Sequence, residues 1–106
     1  MSSAVKIFQP SGIFNGIQGN QLRREVNSAV GDGVEIVLID LANVTLMDSS
    51  GLGALLSLLR IMKESGAKLF ICSVSEPVQM LFEMTKMDSV FETFANQDEF
   101  NRAILV

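Results

Sequence analysis

The segment at residues 34–40 constrains the fold of this chain more than any other, because it is apolar almost without a break. It reads Val-Glu-Ile-Val-Leu-Ile-Asp, in which only Glu35 interrupts the apolar residues before Asp40. A run this rich in β-branched and aliphatic side chains is typical of a strand that is buried on both faces of a parallel sheet. We therefore expect residues 34–40 to form a central strand.

Other short segments have the composition of further strands. Residues 5–9 alternate only loosely, and Pro10 and Gly12 interrupt the pattern before Ile13 and Phe14. Such an interruption indicates an edge strand with a bend. The remaining predicted strands are residues 44–47, 68–72 and 90–94.

Helical patterns lie between these strands. Residues 21–30 place apolar side chains on one face, and Asn20 can cap the helix that they predict. Another helix follows Asp48, and a further one begins at Ser75, with Pro77 in its first turn. The core-facing stripe of the helix after Asp48 consists of Leu52, Leu55, Leu56, Leu59 and Met62.

A last helix is expected after Asn96, whose side chain can cap it while Glu99 reaches back. The residues that we expect this terminal segment to bury are Phe100, Ala103, Ile104, Leu105 and Val106. The alternation of strands and helices predicts one α/β domain over residues 1–106, with a mixed, mostly parallel sheet joined by helical crossovers. A hydrophobic content of 48% is enough for one packed core.

The charge pattern argues against two classes of partner. A formal net charge of −4 opposes a phosphate backbone, since nonspecific affinity for nucleic acid comes from Lys and Arg. Charged residues such as Arg60 and Lys63 interrupt the apolar runs before the roughly 18 residues that a membrane span needs. Residues 1–6 also lack the pattern of a signal peptide. We expect a cytoplasmic protein that binds neither nucleic acid nor membrane.

The chain contains no histidine and a single cysteine. Without histidine it lacks the commonest general base and the commonest metal ligand, which argues against hydrolytic triads and zinc sites. Cys72 lies within an apolar run, as a small buried core residue does. We expect no metal, no cofactor and no enzymatic activity.

The segment Asp48-Ser49-Ser50-Gly51-Leu52-Gly53 lies where a predicted strand leads into a predicted helix, a usual place for functional groups in α/β sheets. One interpretation is structural: Ser49 or Ser50 caps the helix, and the glycines let it pack closely. The other is functional. A glycine in a helix costs about 1 kcal/mol, yet it lets a partner approach the backbone. A serine there can also be phosphorylated, because the helix dipole accommodates the added charge, about −2.

The residues Leu46-Met47-Asp48-Ser49-Ser50-Gly51-Leu52-Gly53-Ala54-Leu55-Leu56 resemble the signature of the STAS domain, which anti-sigma factor antagonists and sulphate transporter tails share. The resemblance covers nearly the whole chain. It includes the order of elements, the lead Gly66-Ala67-Lys68-Leu69 into a strand, and the segment Ser75-Glu76-Pro77-Val78. It implies a STAS-like fold.

The resemblance further implies a bacterial partner switch in transcription regulation. In the family, the unphosphorylated antagonist binds a serine-kinase anti-sigma factor, which is a histidine-kinase-like ATPase, and so frees a sigma factor. Phosphorylation of the first serine after the aspartate reverses this, and a metal-dependent serine phosphatase restores the hydroxyl. That serine matches Ser49 here, with Ser50 as the second choice. The neighbouring positions expected to contact the partner are Asp48, Ser50, Gly51, Leu52 and Gly53.

The sequence allows alternatives for the function and for the role of residue 15. The chain can instead be a stand-alone STAS module that regulates a transporter, a phosphatase or another signalling complex without a sigma factor. In addition, many antagonists carry Gly-x-Leu-Asp near the end of the first strand, whereas this chain has Gly12-Ile13-Phe14-Asn15. Asn15 is expected either to contact the partner without the charge of an aspartate or to be only a turn residue.

A second contact surface is suggested by helical spacing. Met80, Met84 and Met87 lie on the flank of the helix that begins after Ser75, and Leu58 and Ile61 flank the helix after Asp48. These side chains either bury one another or form an adaptable, methionine-lined surface near Ser49, with Met80 and Met84 contacting the partner. Mutual burial is the interpretation that the spacing favours.

Overall fold

A computed structural model of the protein describes residues 4–105, and these form alternating strands and helices. In chain order the elements are β1 (Val5–Phe8), β2 (Gly12–Phe14), α1 (Gly16–Gly31), β3 (Ile36–Asp40), β4 (Val44–Met47), α2 (Ser49–Ser65), β5 (Lys68–Cys72), α3 (Glu76–Met84), β6 (Thr93–Phe94) and α4 (Gln97–Phe100). A π-helical turn, Asn101–Leu105, follows α4. Within residues 4–105 no helix is both long enough and apolar enough to cross a membrane.

The strands form two sheets. Four strands pair in the order β1-β3-β5-β6, and β2 pairs separately with β4. Every one of these pairings is parallel, so the described residues contain no antiparallel pair. The predicted α/β fold with helical crossovers is confirmed. The apolar run at residues 34–40 forms the central strand as expected, although β3 begins at Ile36.

Side chains of the central strand alternate between two apolar clusters. Val37 and Ile39 point into the larger cluster, which α1, α2 and α3 cover. Leu38 points to the opposite face, where Phe70 and Phe100 pack with ring centroids 5.6 Å apart. Both faces of β3 are therefore buried, which is why its sequence is apolar without alternation.

The first helix begins earlier than predicted. Its N-cap is Asn15, whose side chain accepts a hydrogen bond from the Gln18 backbone N–H at 3.0 Å, so the expected cap at Asn20 is wrong. Residues 16–20, which include Gly16 and Gly19, lay outside the predicted helix. Gly19 is needed there, since a Cβ on it would lie 2.3 Å from the Cβ of Ala54 in α2. The glycine thus permits close helix packing.

The predicted strand at residues 90–94 is mostly a turn. Only Thr93–Phe94 pairs with β5, while the Val90 backbone N–H donates to the Met87 carbonyl at 3.1 Å. The physical reason is burial of Phe91, which stacks on Phe82 of α3 with ring centroids 5.4 Å apart. Phe91 thus packs on α3, and the backbone first meets β5 at Glu92, whose carbonyl accepts the Ile71 N–H at 3.1 Å.

The terminal segment departs from its prediction after one turn. Asn96 caps α4, and Glu99 reaches back to the Ala95 backbone N–H at 3.1 Å, much as expected. Phe100 is buried, but Ala103 and Leu105 are exposed, so their expected burial is wrong. The backbone changes to π geometry at Asn101, and the spacing of three and four residues no longer holds. Val106 lies outside the described residues.

The leucine-rich helix buries a slightly different face from the predicted one. Leu52, Leu55 and Met62 are buried as expected, but Leu58 is also in the core, whereas Leu56 and Leu59 are only partly buried. The neighbouring α1 packs along α2, and Leu58 belongs to the same buried cluster as Leu22 and Val26 of α1.

Candidate functional site

The first turn of α2 is capped by an aspartate. Asp48 has an extended backbone, and its Oδ1 accepts a hydrogen bond from the Gly51 N–H at 2.8 Å. The Asp48 carbonyl accepts the Leu52 N–H at 3.0 Å, which starts the helical ladder. The expectation that Ser49 or Ser50 is the N-cap is therefore wrong, because both serines already lie within the helix.

Both serines are exposed on that first turn. Ser49 and Ser50 occupy the first two helical positions, and Asp48 before them is the cap. Helix capping therefore does not explain the presence of the two serines. Asp48 itself is exposed as well. The three side chains place two hydroxyls and one carboxylate at the surface, at the positive end of a helix dipole.

The two glycines of the segment differ in their surroundings. Gly51 is buried, and a Cβ on it would lie 2.1 Å from the Phe14 carbonyl oxygen at the end of β2. Gly53 is exposed, and a Cβ on it would meet nothing within 4 Å. Close packing explains Gly51 and leaves Gly53 without a structural reason.

The N-terminal ends of α1 and α2 lie side by side. The Asp48 N–H donates to the Phe14 carbonyl at 3.3 Å, and a Cβ on Gly16 would lie 3.2 Å from the Ser50 Cβ. This geometry brings Asn15 close to the serine pair. Because the Oδ1 of Asn15 accepts the Gln18 N–H, residue 15 has a structural role as a cap, and its contact with a partner stays a prediction.

The methionine flank of α3 is exposed. Met80 is 53% and Met84 is 77% exposed, so the favoured expectation of mutual burial is wrong for these two side chains. Met87 and Ile61 are partly buried, and Leu58 belongs to the core. Since α3 packs against β4, the strand that leads into Asp48, the two methionines lie on an element that adjoins the candidate site.

Sequence reasoning missed three exposed aliphatic side chains beside the serines. Ile13 and Leu46 are register partners in the β2–β4 pair, and Ile17 follows Gly16 at the start of α1. All three are exposed. The available signal was the position of Ile17 in the first turn after a capping asparagine, where a helix has not yet reached its core contacts.

A buried carboxylate lies outside this segment. Asp40 at the end of β3 accepts hydrogen bonds from the Gln9 side chain at 2.9 Å, the Gln97 side chain at 2.6 Å and the Ala42 N–H at 2.9 Å. Burial raises the pKa of the Asp40 carboxyl, but these hydrogen bonds outweigh it and hold the pKa below its usual value. Asp40 therefore ties β1, β3 and α4 together.

Cys72 is buried at the end of β5, as the sequence predicted. Its surroundings keep the thiol protonated, because burial raises the pKa of Cys72. A reactive thiolate needs the opposite shift. Cys72 is a packing residue.

Comparison with known proteins gives one family. The model of the STAS domain matches residues 2–100. A relative from Paenibacillus polymyxa, named anti-sigma F factor antagonist, is 27% identical over 94 residues, which cover 88% of this chain and 80% of that protein.

Solved structures show the same fold. An anti-sigma factor antagonist from Mycobacterium paratuberculosis matches with a TM-score of 0.81 at 18% identity, over 97% of this chain and 87% of that chain. A sulfate transporter family protein from Wolinella succinogenes matches with a TM-score of 0.78 at 16% identity, over 90% of this chain and 80% of that one. Since the family model spans nearly all of its 106 residues, the chain belongs to the STAS domain family.

Proposed function

We propose that this protein is a cytoplasmic anti-sigma factor antagonist that is switched by phosphorylation of Ser49. In its unphosphorylated form it binds a serine-kinase anti-sigma factor, a histidine-kinase-like ATPase, and a phosphate on Ser49 releases it. A metal-dependent serine phosphatase then restores the hydroxyl. The observation that carries the proposal is an exposed serine pair at the start of α2 that is not used as the helix cap.

The surroundings of the two hydroxyls favour Ser49 over Ser50. The Cβ of Ser50 faces Gly16 of α1, at 3.2 Å from where a side chain on that glycine would begin. A phosphate on Ser50 has to fit beside α1, whereas Ser49 is one residue before the position that contacts α1. The free N–H groups and the dipole of the first helical turn accommodate a phosphate on Ser49 without unfolding α2.

The switch acts on docking. A phosphate adds a charge of about −2 beside the exposed carboxylate of Asp48, where a neutral hydroxyl met the partner before. The negative phosphate beside the negative Asp48, together with its bulk, opposes the contact that the partner made with the unphosphorylated serine. The contact surface that we propose includes Asn15, Asp48, Ser50 and Gly53 near the helix start, extended by Met80 and Met84 on α3. Gly51 and Leu52, which the sequence also suggested as contact residues, are buried and do not belong to this surface.

The test of the modified residue is site-mapped phosphorylation. The chain is incubated with the histidine-kinase-like ATPase from the same genome and Mg-ATP, and the phosphate is located by fragmentation mass spectrometry. We expect wild type and Ser50→Ala to carry one phosphate on residue 49 and Ser49→Ala to carry none. Full labelling of Ser49→Ala contradicts the assignment.

A second function is favoured by one observation, the neutral Asn15 that is occupied as a helix cap. A STAS module that regulates a transporter, a phosphatase or another signalling complex without a sigma factor has no need for a charge there. A pull-down from the native cell separates the two functions. Recovery of a histidine-kinase-like ATPase supports the antagonist, and recovery of a transporter or phosphatase without such an ATPase supports the alternative.

A further inference from the structure

Three large aliphatic side chains are exposed around the serine pair. Ile17 is 79% exposed, Ile13 is 54% exposed and Leu46 is 53% exposed. Single exposed aliphatic residues are ordinary on a protein surface. A group of exposed aliphatic residues within one small area is unusual, and such groups mark places where another molecule binds. We refer to Ile13, Ile17 and Leu46 as the aliphatic patch.

The backbone geometry places the aliphatic patch next to the serines. Ile13 and Leu46 face each other across the β2–β4 pair, and each lies two residues before a helix cap, Asn15 and Asp48 respectively. Ile17 follows Gly16, which lies against Ser50. The patch therefore lies at the same end of the molecule as both helix starts.

Charge is almost absent from this area. Within residues 12–18 and 44–50, which form the two strand ends and helix starts, Asp48 is the one charged residue. The buried centre of a protein interface has the same composition, with few charged side chains and many apolar ones.

The fold does not need these side chains for its own core. Phe14 and Val44 of the same two strands are buried and supply the core contacts there. Ile17 is in the first turn of α1, where a β-branched residue brings no helix propensity. Their presence is therefore better explained by binding than by folding.

We infer that Ile13, Ile17 and Leu46 are the apolar anchors through which this chain binds the kinase that phosphorylates Ser49. The inference rests on the proposed function and names how the partner is recognised. An enzyme whose active site reaches the Ser49 hydroxyl has to cover the surface around it, and the aliphatic patch is the apolar part of that surface. Asn15, which lies between Ile13 and Ile17, is neutral and its Oδ1 is engaged in capping, so this part of the surface offers the partner no charge.

The test uses the ATPase that labels wild-type chain in the site-mapped experiment above. Its Kd is measured by titration calorimetry against wild type, Ile17→Ser and Leu46→Thr, with melting curves to check that each variant is folded. Loss of a central anchor weakens binding by about tenfold or more. Ile7→Ser and Leu105→Ser are the controls, because both side chains are exposed aliphatics on other elements, and we expect them to bind like wild type.

Salt provides an independent readout. Apolar anchoring predicts that the Kd of wild type changes by less than about threefold between about 50 mM and about 500 mM NaCl, since screening acts on charges. A loss of affinity of about tenfold or more over that range contradicts apolar recognition.

The outcomes separate the inference from the function on which it rests. If no ATPase labels the wild type on Ser49, both are wrong. If wild type is labelled and bound but Ile17→Ser and Leu46→Thr bind equally well, the inference alone is wrong. The patch can also bind a second copy of this chain, which analytical ultracentrifugation of the chain alone tests. If wild type is a dimer and Ile17→Ser is a monomer, the patch serves self-association and the kinase assignment is wrong.

Discussion

Gly53 is the residue at which folding and binding are most easily separated. It lies one helical turn after Ser49 on an exposed part of α2, and the space around its missing side chain is open. A glycine at such a position destabilises a helix without improving its packing. We therefore propose that a partner approaches the helix backbone closely at Gly53.

We predict that Gly53→Ala raises the free energy of unfolding by about 0.5–1 kcal/mol, because alanine favours the helix and its methyl group meets nothing. The same variant should bind the kinase more weakly, since the methyl group blocks close approach. Chemical denaturation and calorimetry measure the two effects. Unchanged affinity would show that the partner does not approach the helix at this residue.

Gly51→Ala is the matched comparison with the opposite expectation. Its methyl group would collide with the Phe14 carbonyl oxygen, a backbone atom that moves only if β2 and α2 separate. We expect a loss of stability of about 1–3 kcal/mol by chemical denaturation. A stability equal to wild type contradicts the close contact described between β2 and α2.

At the scale of elements, the site depends on how two helices begin. Asn15 and Asp48 cap α1 and α2, and both caps follow parallel strands that pair with each other. The pairing of β2 with β4 thus holds the two helix starts together. Because the caps are Asn15 and Asp48, the two serines of α2 stay at the surface and keep their hydroxyls for other contacts.

Removal of the α2 cap has a defined effect. Asp48→Ala leaves the Gly51 N–H without its acceptor and should lower the free energy of unfolding by about 1 kcal/mol. Asp48→Asn keeps an acceptor and should stay near wild type in stability while removing the charge beside Ser49. Denaturation curves of the two variants check the cap, and equal losses for both would show that charge, not capping, is the stabilising feature.

At the scale of the whole molecule, Asp40 connects parts that are far apart in the chain. Its carboxylate joins Gln9 after β1 and Gln97 in α4, which are separated from it by 31 and 57 residues. The terminal segment that carries Gln97 also covers one face of the sheet through Phe100. Loss of this carboxylate should loosen the terminal segment first.

The pH dependence of stability follows from the lowered pKa of Asp40. A carboxyl whose pKa is lower in the folded than in the unfolded state stabilises the fold fully above the unfolded value, about 3.9. This contribution is lost as the pH falls through the folded value. We therefore expect Asp40→Asn to be less stable than wild type at pH 7 and the difference to shrink below about pH 4, as measured by urea denaturation across pH. A difference that is constant with pH contradicts the assignment.

Local patterns predicted the interior of the fold better than its surface. The strands β3 and β5 could be predicted because burial on both faces gives a continuous apolar run. The core face of α2 could be predicted because burial on one helical face repeats apolar residues every three or four positions. The separate pairing of β2 with β4 could not be predicted, because the spacing of apolar residues within a strand does not indicate which strand pairs with it. The exposure of Ile17 and Met84 also depends on what packs against them, which spacing alone does not determine.

The sequence singled out the candidate segment but not its hydrogen bonds. The structural interpretation of this segment made Ser49 or Ser50 the cap, although Asp48 is the residue that caps α2, because serine and aspartate are about equally good N-caps. The backbone register, with Gly51 against Phe14, decides between them. The different roles of Gly51 and Gly53 follow from the same register.

The most direct test of the switch is the affinity of the histidine-kinase-like ATPase for the chain in its two states. Unphosphorylated chain and chain carrying phosphate on Ser49 are titrated separately into the ATPase, with Ser49→Ala as an unmodifiable control. We predict that the phosphate weakens binding by about a hundredfold or more, since like charges placed in a contact oppose it by several kcal/mol. Equal affinity of the two states would contradict the account.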